Sequence, residues 1–286
     1  MARPLTAFAA AVVALALLVA PASAVLGGRP DGSGHPYVGM SVFFKNGMPI
    51  QRCSGTLVSP TIYITAGHCT GIDAADNIAP DHAEIWFSPG PIPRGNWPGG
   101  VSCAGYSGYP CQGDVGGTPH PHPGWNGFLT LPDIHDTGVV VLDQPWNVSS
   151  YAQLAPKGYL DDLATKRGRQ SVDFTMVGYG VQFEHPNLEV AMRTRYVGTN
   201  QLVNLNSALA GGYQLMMTDA NGNGTGGGGT CFGDSGGPVF HTSDSGQTYL
   251  VADISFGTKY CKGTSGAYRL DTDSARNFLA GYVSLP

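Results

Sequence analysis

Residues 233–238 read Gly233-Asp234-Ser235-Gly236-Gly237-Pro238. A serine set among three glycines stands where the backbone can turn sharply and approach a ligand closely, because glycine enters left-handed conformations without steric cost. A hydroxyl is a poor nucleophile until a neighbouring base takes its proton. Thr65-Ala66-Gly67-His68-Cys69 supplies a histidine directly after the apolar strand Ile62 to Ile64, and a bridged Cys69 would hold that histidine at a fixed point of the surface. The base in turn needs an orienting carboxylate. Asp136, opening the strand Gly138 to Leu142, is the candidate; Asp133 follows Pro132 in the preceding loop, and Asp143 falls at the strand's far end.

The rest of the chain is consistent with a scaffold of strands and turns. Of 286 residues, 42 are glycine, 21 are proline and 12% are charged; ordinary proteins carry about 7% glycine and about 25% charged residues. Ser41 to Phe44, Ala83 to Phe87, Gly138 to Leu142, Ser171 to Val177, Tyr249 to Ser255 and Ala267 to Leu270 are short, β-rich and separated by Gly, Pro and Asn clusters. That pattern predicts an all-β barrel or sandwich. Asp273 to Tyr282 reads as a short helix with Asp273 or Ser274 as N-cap. Asn221 to Gly229 lacks the Lys-Ser/Thr ending of a phosphate-binding loop and reads as a flexible surface loop. The net charge of -5, with no basic stripe, excludes a nucleic-acid partner.

Residues 1–24 are set apart. Arg3 precedes an apolar run from Leu5 to Ala20, and Pro21-Ala22-Ser23-Ala24 has the small-x-small form of a signal-peptidase site. The run is shorter than the 18 or so apolar residues that suggest a membrane span, so a secreted chain starting at Val25, with no membrane anchor after cleavage, is expected. Its net charge would be -6, since Arg3 is the one charged residue removed. In an oxidising compartment, Cys53, Cys69, Cys103, Cys111, Cys231 and Cys261 read as three disulfides, without a metal site. Spacing alone leaves 15 connectivities open.

Thr65 to Cys69, His135-Asp136-Thr137-Gly138-Val139-Val140-Val141-Leu142 and Cys231 to Pro238 together resemble the trypsin-like (chymotrypsin-fold) serine proteases, in particular secreted ones of bacterial type. Four further matches fall in the family's order. They are Val25-Leu26-Gly27-Gly28, His122-Pro123-Gly124-Trp125, Val177-Gly178-Tyr179-Gly180, and Ser255-Phe256-Gly257 followed by Gly266-Ala267-Tyr268. One such motif is weak; seven in order over nearly the whole chain after residue 24 are specific.

The resemblance implies two six-stranded antiparallel β-barrels with the active site between them and a short C-terminal helix. The first barrel would take residues 25–150, with the histidine and aspartate, and the second residues 151–286, with the serine, oxyanion hole and pocket. It implies that Cys53 pairs with Cys69 and Cys231 with Cys261, leaving Cys103 with Cys111 to staple a Gly/Pro-rich loop, Ser88 to Pro123. Ser235 would be the nucleophile, His68 the base and Asp136 its orienting acid, with the N–H groups of Gly233 and Ser235 as oxyanion hole. Asp234 would pair with the α-amine of a mature Val25. The substrate pocket would draw on Gly229, Thr230, Ser255, Phe256, Gly257 and Gly266. Gly229 stands where members selective for Lys and Arg carry an acid, so an uncharged, roomy pocket for large apolar or aromatic residues is expected.

A monomer acting on polypeptides, with a protein inhibitor as a further partner and no cofactor, follows from this reading. Rival functions on the same scaffold are a secreted esterase or a silent binding protein; the presence of all three triad residues weighs against the latter. His120, His122 and His135 read as loop histidines, because Pro121 and Pro123 keep the first two extended and no carboxylate or cysteine cluster completes a metal set. Asn147-Val148-Ser149 and Asn223-Gly224-Thr225 fit the glycosylation sequon.

Overall fold

A computed structural model describes residues 25–72, 78–93, 102–103, 106–163, 172–185, 188–190, 193–219, 227–257 and 261–286, with 102–103, 106–110, 183–185 and 188–190 described by their backbone. The expected signal segment, the sequon at Asn223 and the side chain of Cys103 lie outside them. The strands are β1 (Arg29–Pro30), β2 (Val38–Lys45), β3 (Met48–Leu57), β4 (Ile62–Thr65), β5 (His82–Trp86), β6 (Ser102–Cys103), β7 (Tyr106–Pro110), β8 (Val115–Pro121) and β9 (Gly138–Leu142). Then follow β10 (Asp173–Gly178), β11 (Phe183–His185), β12 (Leu188–Val190), β13 (Tyr196–Asn204), β14 (Gln214–Thr218), β15 (Pro238–Thr242), β16 (Thr248–Gly257) and β17 (Thr264–Arg269). Three short helices are described: α1 (Gly67–Thr70), α2 (Tyr159–Leu163) and α3 (Asp273–Leu279).

Six strands close the first barrel in the order β2-β3-β4-β9-β8-β5. The second runs β13-β10-β15-β16-β17-β14 and closes because β13 also pairs with β14. These are the two six-stranded antiparallel barrels that the resemblance implies. Closure leaves few free edges. Alternation sorts the side chains: Phe43 joins Cys53, Tyr63 and Ile85 in a cluster of the first barrel, whereas its neighbours Val42 and Phe44 join a cluster containing Val177, Phe240 and Tyr268 of the second. That shared cluster is where the barrels meet. Residues 25–30 cross over to the second barrel. Val25 is buried among Phe174, Met176 and Leu215, and β1 pairs with β13.

Several elements differ from the sequence reading. Ser88 to Pro123 is not a single loop, because Val115–Pro121 is a full strand of the first barrel. Its prolines are tolerated by position: β8 pairs with β5 only as far as Gly117, so Pro119 and Pro121 fall where β9 alone is alongside. The end of the run Asn221 to Gly229 is tied down, not free, since the Gly229 N–H donates to the Leu26 carbonyl at 2.8 Å. The N-cap of α3 is Thr272, one residue before those expected. Its backbone is extended and its hydroxyl accepts from the Ala275 N–H, while the Ser274 hydroxyl is engaged by His135 Nδ1 at 2.9 Å.

Candidate active site

β4 delivers His68 on the one-turn helix α1, and a disulfide from Cys69 to Cys53 on β3 anchors that turn. Gly67 lets the turn lie against the loop before β9: a Cβ there would come within 3.0 Å of the His135 carbonyl oxygen and the Thr137 nitrogen. This approach brings His68 to Asp136. The buried Asp136 carboxylate accepts from the His68 N–H at 2.6 Å and lies 2.9 Å from its Nδ1. The Ser255 hydroxyl donates to the same carboxylate. His68 remains 15% exposed, its ring at the cleft. Of the alternatives, Asp133 is taken by Tyr268 and His135, and Asp143 lies against Gly116.

Ser235 sits on the turn before β15, with Gly233 and Gly236 at φ 95° and 74° on either side, the backbone that glycine permits. Hydrogen bonds sew this turn to both barrels. Ser54 of β3 donates from its N–H to the Ser235 carbonyl and from its hydroxyl to the Gly233 carbonyl, both at 2.8 Å, and the Gly236 N–H donates to Ile254 of β16 at 2.7 Å. Such ties hold a nucleophile without freezing its side chain. Asp234 is fully buried and accepts from the N–H groups of Gly180 (2.8 Å) and Cys231 (3.0 Å). Burial pushes its carboxyl up to about 6 despite these bonds and the opposing Arg52 charge.

One cavity is lined by His68, Ser235 and Gly233 together with Thr230, Ser255, Phe256 and Gly257. It brings together His68 and Ser235 of the candidate triad, with Asp136 buried behind His68, and four of the six residues expected in a substrate pocket. Gly229 and Gly266 are placed differently. Neither lines this cavity: Gly229 is bridged to Leu26 and lies on Asp219, while the Phe256 ring covers Gly266. Cys231 and Cys261 are bridged beside it. Cys111 is also disulfide-bonded.

Other residues escaped the sequence reading. Phe128 lies 5.8 Å from the His68 ring and Trp125 6.2 Å from it, and Phe232 stands 60% exposed at the cleft. They make an apolar rim; a lone aromatic in a Gly/Pro-rich loop carries no periodic signal. Asp219 and Asp253 are buried acids. Asp253 lies on β16 two residues before Ser255, and burial together with the Asp136 charge pushes its carboxyl well above the usual range. The loop histidines serve packing: His122 and His135 stack at 4.6 Å, and His122 rests on Phe278 of α3. Cys53, Cys69 and His68 cluster closely enough for a metal, but the disulfide consumes both thiols.

Comparison with known proteins bears on the family and the fold. Residues 119–276 match the family described as Trypsin. Among solved structures, one titled HL collagenase aligns with a TM-score of 0.57 over 86% of this chain and 94% of that one, at 16% sequence identity. At that identity the likeness speaks to the fold. Comparison with the curated proteins gives no match.

Proposed function

The chain belongs to the trypsin family of serine endopeptidases, and from that premise we propose that Ser235, His68 and Asp136 are its catalytic triad. The observation that carries the reading is the His68 ring, gripped by the buried Asp136 carboxylate through Nδ1 at 2.9 Å and facing the cavity that Ser235 lines. With Nδ1 donating to Asp136, Nε2 is left as the base.

Ser235 Oγ attacks the carbonyl carbon of a polypeptide substrate as His68 takes its proton. His68 then returns the proton to the leaving amine, and water hydrolyses the acyl-enzyme by the same route reversed. Asp136 fixes the tautomer and stabilises the imidazolium, and Ser255 holds Asp136 in place. The N–H groups of Gly233 and Ser235 receive the developing oxyanion, a contribution of about 10²–10³ in rate per donor. The rim of Phe128, Phe232 and Phe256 favours apolar residues flanking the scissile bond.

Maturation follows from the N-terminal crossing. Residues 1–24 are a signal segment for secretion, and cleavage after Ala24 frees the Val25 amine. In the structure Val25 packs on Phe174, Met176 and Gly198, and Asp234 meets Gly180, Cys231 and Arg52, so pairing of the freed amine with Asp234 requires the N-terminus to move after cleavage. Fluorophosphonate labelling and peptide hydrolysis test the triad: both are lost in a folded Ser235→Ala protein. Hydrolysis by that variant above a trace would refute the assignment, and an active secreted chain starting anywhere but Val25 would refute the maturation step.

A further inference from the structure

Asp136 sits at the centre of a three-residue turn, closed by the Thr137 N–H donating to the His135 carbonyl at 2.8 Å. His135 takes the left-handed backbone there, at φ 53°. A residue with a side chain keeps that sparsely populated conformation only where its surroundings hold it. His122, the residue after β8, holds the turn from two sides. Its N–H donates to the Thr137 carbonyl at 2.9 Å, and its ring stacks on the His135 ring at 4.6 Å with the planes 4° apart. Gly124 abuts the His135 ring as well: a Cβ on it would stand 2.7 Å from the ring's Cγ and 2.8 Å from its Nε2. The residues before and after Asp136 therefore both rest on residues 122–124.

The ring bonds of His122 select its neutral form. Nδ1 accepts from the Gly124 N–H at 2.9 Å, which needs a bare nitrogen; Nε2 then carries the proton and faces the Ser274 carbonyl of α3 at 3.3 Å. A proton on Nδ1 would set N–H against N–H at Gly124 and bring a charge onto the stacked His135 ring. The titratable groups around it are His135 and Asp133 of the loop before β9, 3.2 Å apart, and through Asp133 the Tyr268 hydroxyl of β17 at 2.8 Å. α3 adds Ser274 and the Phe278 ring, while its Asp273 turns to Lys157; His120 of β8 packs on Tyr282. Burial holds the His122 ring below the usual histidine range, and the His135 charge pushes the same way against the Ser274 carbonyl and Asp133. We propose that His122 is a positioning residue for the triad: as a neutral ring it holds the turn that presents Asp136 to His68, and a proton on it releases that turn. This rests on the triad reading. Acid inactivation then takes up two protons, one on His68 in the cleft and one on His122 behind the carboxylate.

The test is the pH profile of peptide hydrolysis by wild type, His122→Asn and His122→Phe, alongside proton NMR of the inactive Ser235→Ala chain. In His122→Asn, Oδ1 takes the place of Nδ1 before the Gly124 N–H and cannot be protonated; in His122→Phe the ring stays and the acceptor is gone. Wild-type kcat should fall about tenfold per pH unit through the histidine range and steepen toward about 100-fold per unit below it, whereas His122→Asn should keep the single slope. At pH 8 His122→Phe should lose kcat about tenfold or more with KM little changed, the scale of one buried N–H left unpartnered, and His122→Asn should recover much of that loss. By NMR, the His68 Nδ1 proton held by Asp136 should disappear as the His122 ring titrates, and should persist when His122→Asn is added. Parallel acid limbs in wild type and His122→Asn, or a His68 Nδ1 signal that ignores the His122 titration, would overturn the proposal. A wild-type chain that neither hydrolyses peptides nor takes the fluorophosphonate label would refute the triad instead, and the NMR titration would still judge His122.

Discussion

Replacing Asp219 by asparagine should stabilise the protein at pH 8 and not at pH 4. The carboxyl titrates at 3.8 in an unfolded chain and at about 7 in the fold, chiefly because burial disfavours its charge. Between these values the native state holds a proton that the unfolded state has released, so stability falls as pH rises from about 4 to about 7 and levels off above. At about 1.4 kcal/mol per pH unit the full cost at pH 8 is about 4 kcal/mol. Asparagine removes that charge and still accepts from the Thr230 N–H, but exchanges the carboxylate's bond with the Ser265 hydroxyl for an amide one, a loss of about 1–2 kcal/mol. The net gain is about 2–3 kcal/mol at pH 8, or about 5–10 °C in melting temperature. At pH 4 the charge cost has vanished, leaving the variant level with wild type or slightly below. Thermal unfolding of both proteins across this range, with disulfides intact, reads the difference. A variant destabilised at pH 8 as much as at pH 4 would show that burial does not disfavour this carboxylate in the fold, refuting the reasoning.

Peptide hydrolysis should decline as pH drops through the histidine range, about 7 to 6, because only neutral His68 can accept the serine proton; a flat rate down to pH 4 contradicts this. Ser255→Ala removes a hydrogen bond to the Asp136 carboxylate and should lower kcat about tenfold or more with little change in KM, taking a bond to a charged group as about 1.5–3 kcal/mol; an unchanged kcat would mean that His68 alone holds Asp136. Gly67→Ala forces a Cβ to 3.0 Å from two backbone atoms that cannot rotate away, so it should cost about 1–3 kcal/mol of stability and lower kcat by shifting His68, a loss that assays at saturating peptide would detect. Removing the Cys53–Cys69 disulfide, which closes a separation of 16 residues, should cost about 3 kcal/mol in denaturant unfolding.

The chemistry of the triad could be read from the sequence because each member sits in a short local pattern: glycines around Ser235, an apolar strand before His68, and the run Gly138 to Leu142 after Asp136. Local backbone demands leave local marks. The barrel strands that escaped lack such marks for separate reasons. β14 (Gln-Leu-Met-Met-Thr) has no β-branched alternation, and its side chains are all buried; β8 carries two prolines that only its one-sided pairing with β9 makes tolerable. Asp219 escaped for a deeper reason. Its position depends on β14 pairing with β17 so that Met217 faces Ser265 and Thr218 faces Thr264. It depends as well on β16 meeting β17 with Gly257 opposite Ser265. A shift of one residue in either register would turn Asp219 away from Thr230 and Gly257. The glycines at 229 and 257 are visible in the sequence, but what they uncover is decided by strands about 10 and 38 residues away along the chain. The meeting of Asp219 with Thr230 and Gly257 is therefore set by strand register, a tertiary property that no local pattern in the sequence marks.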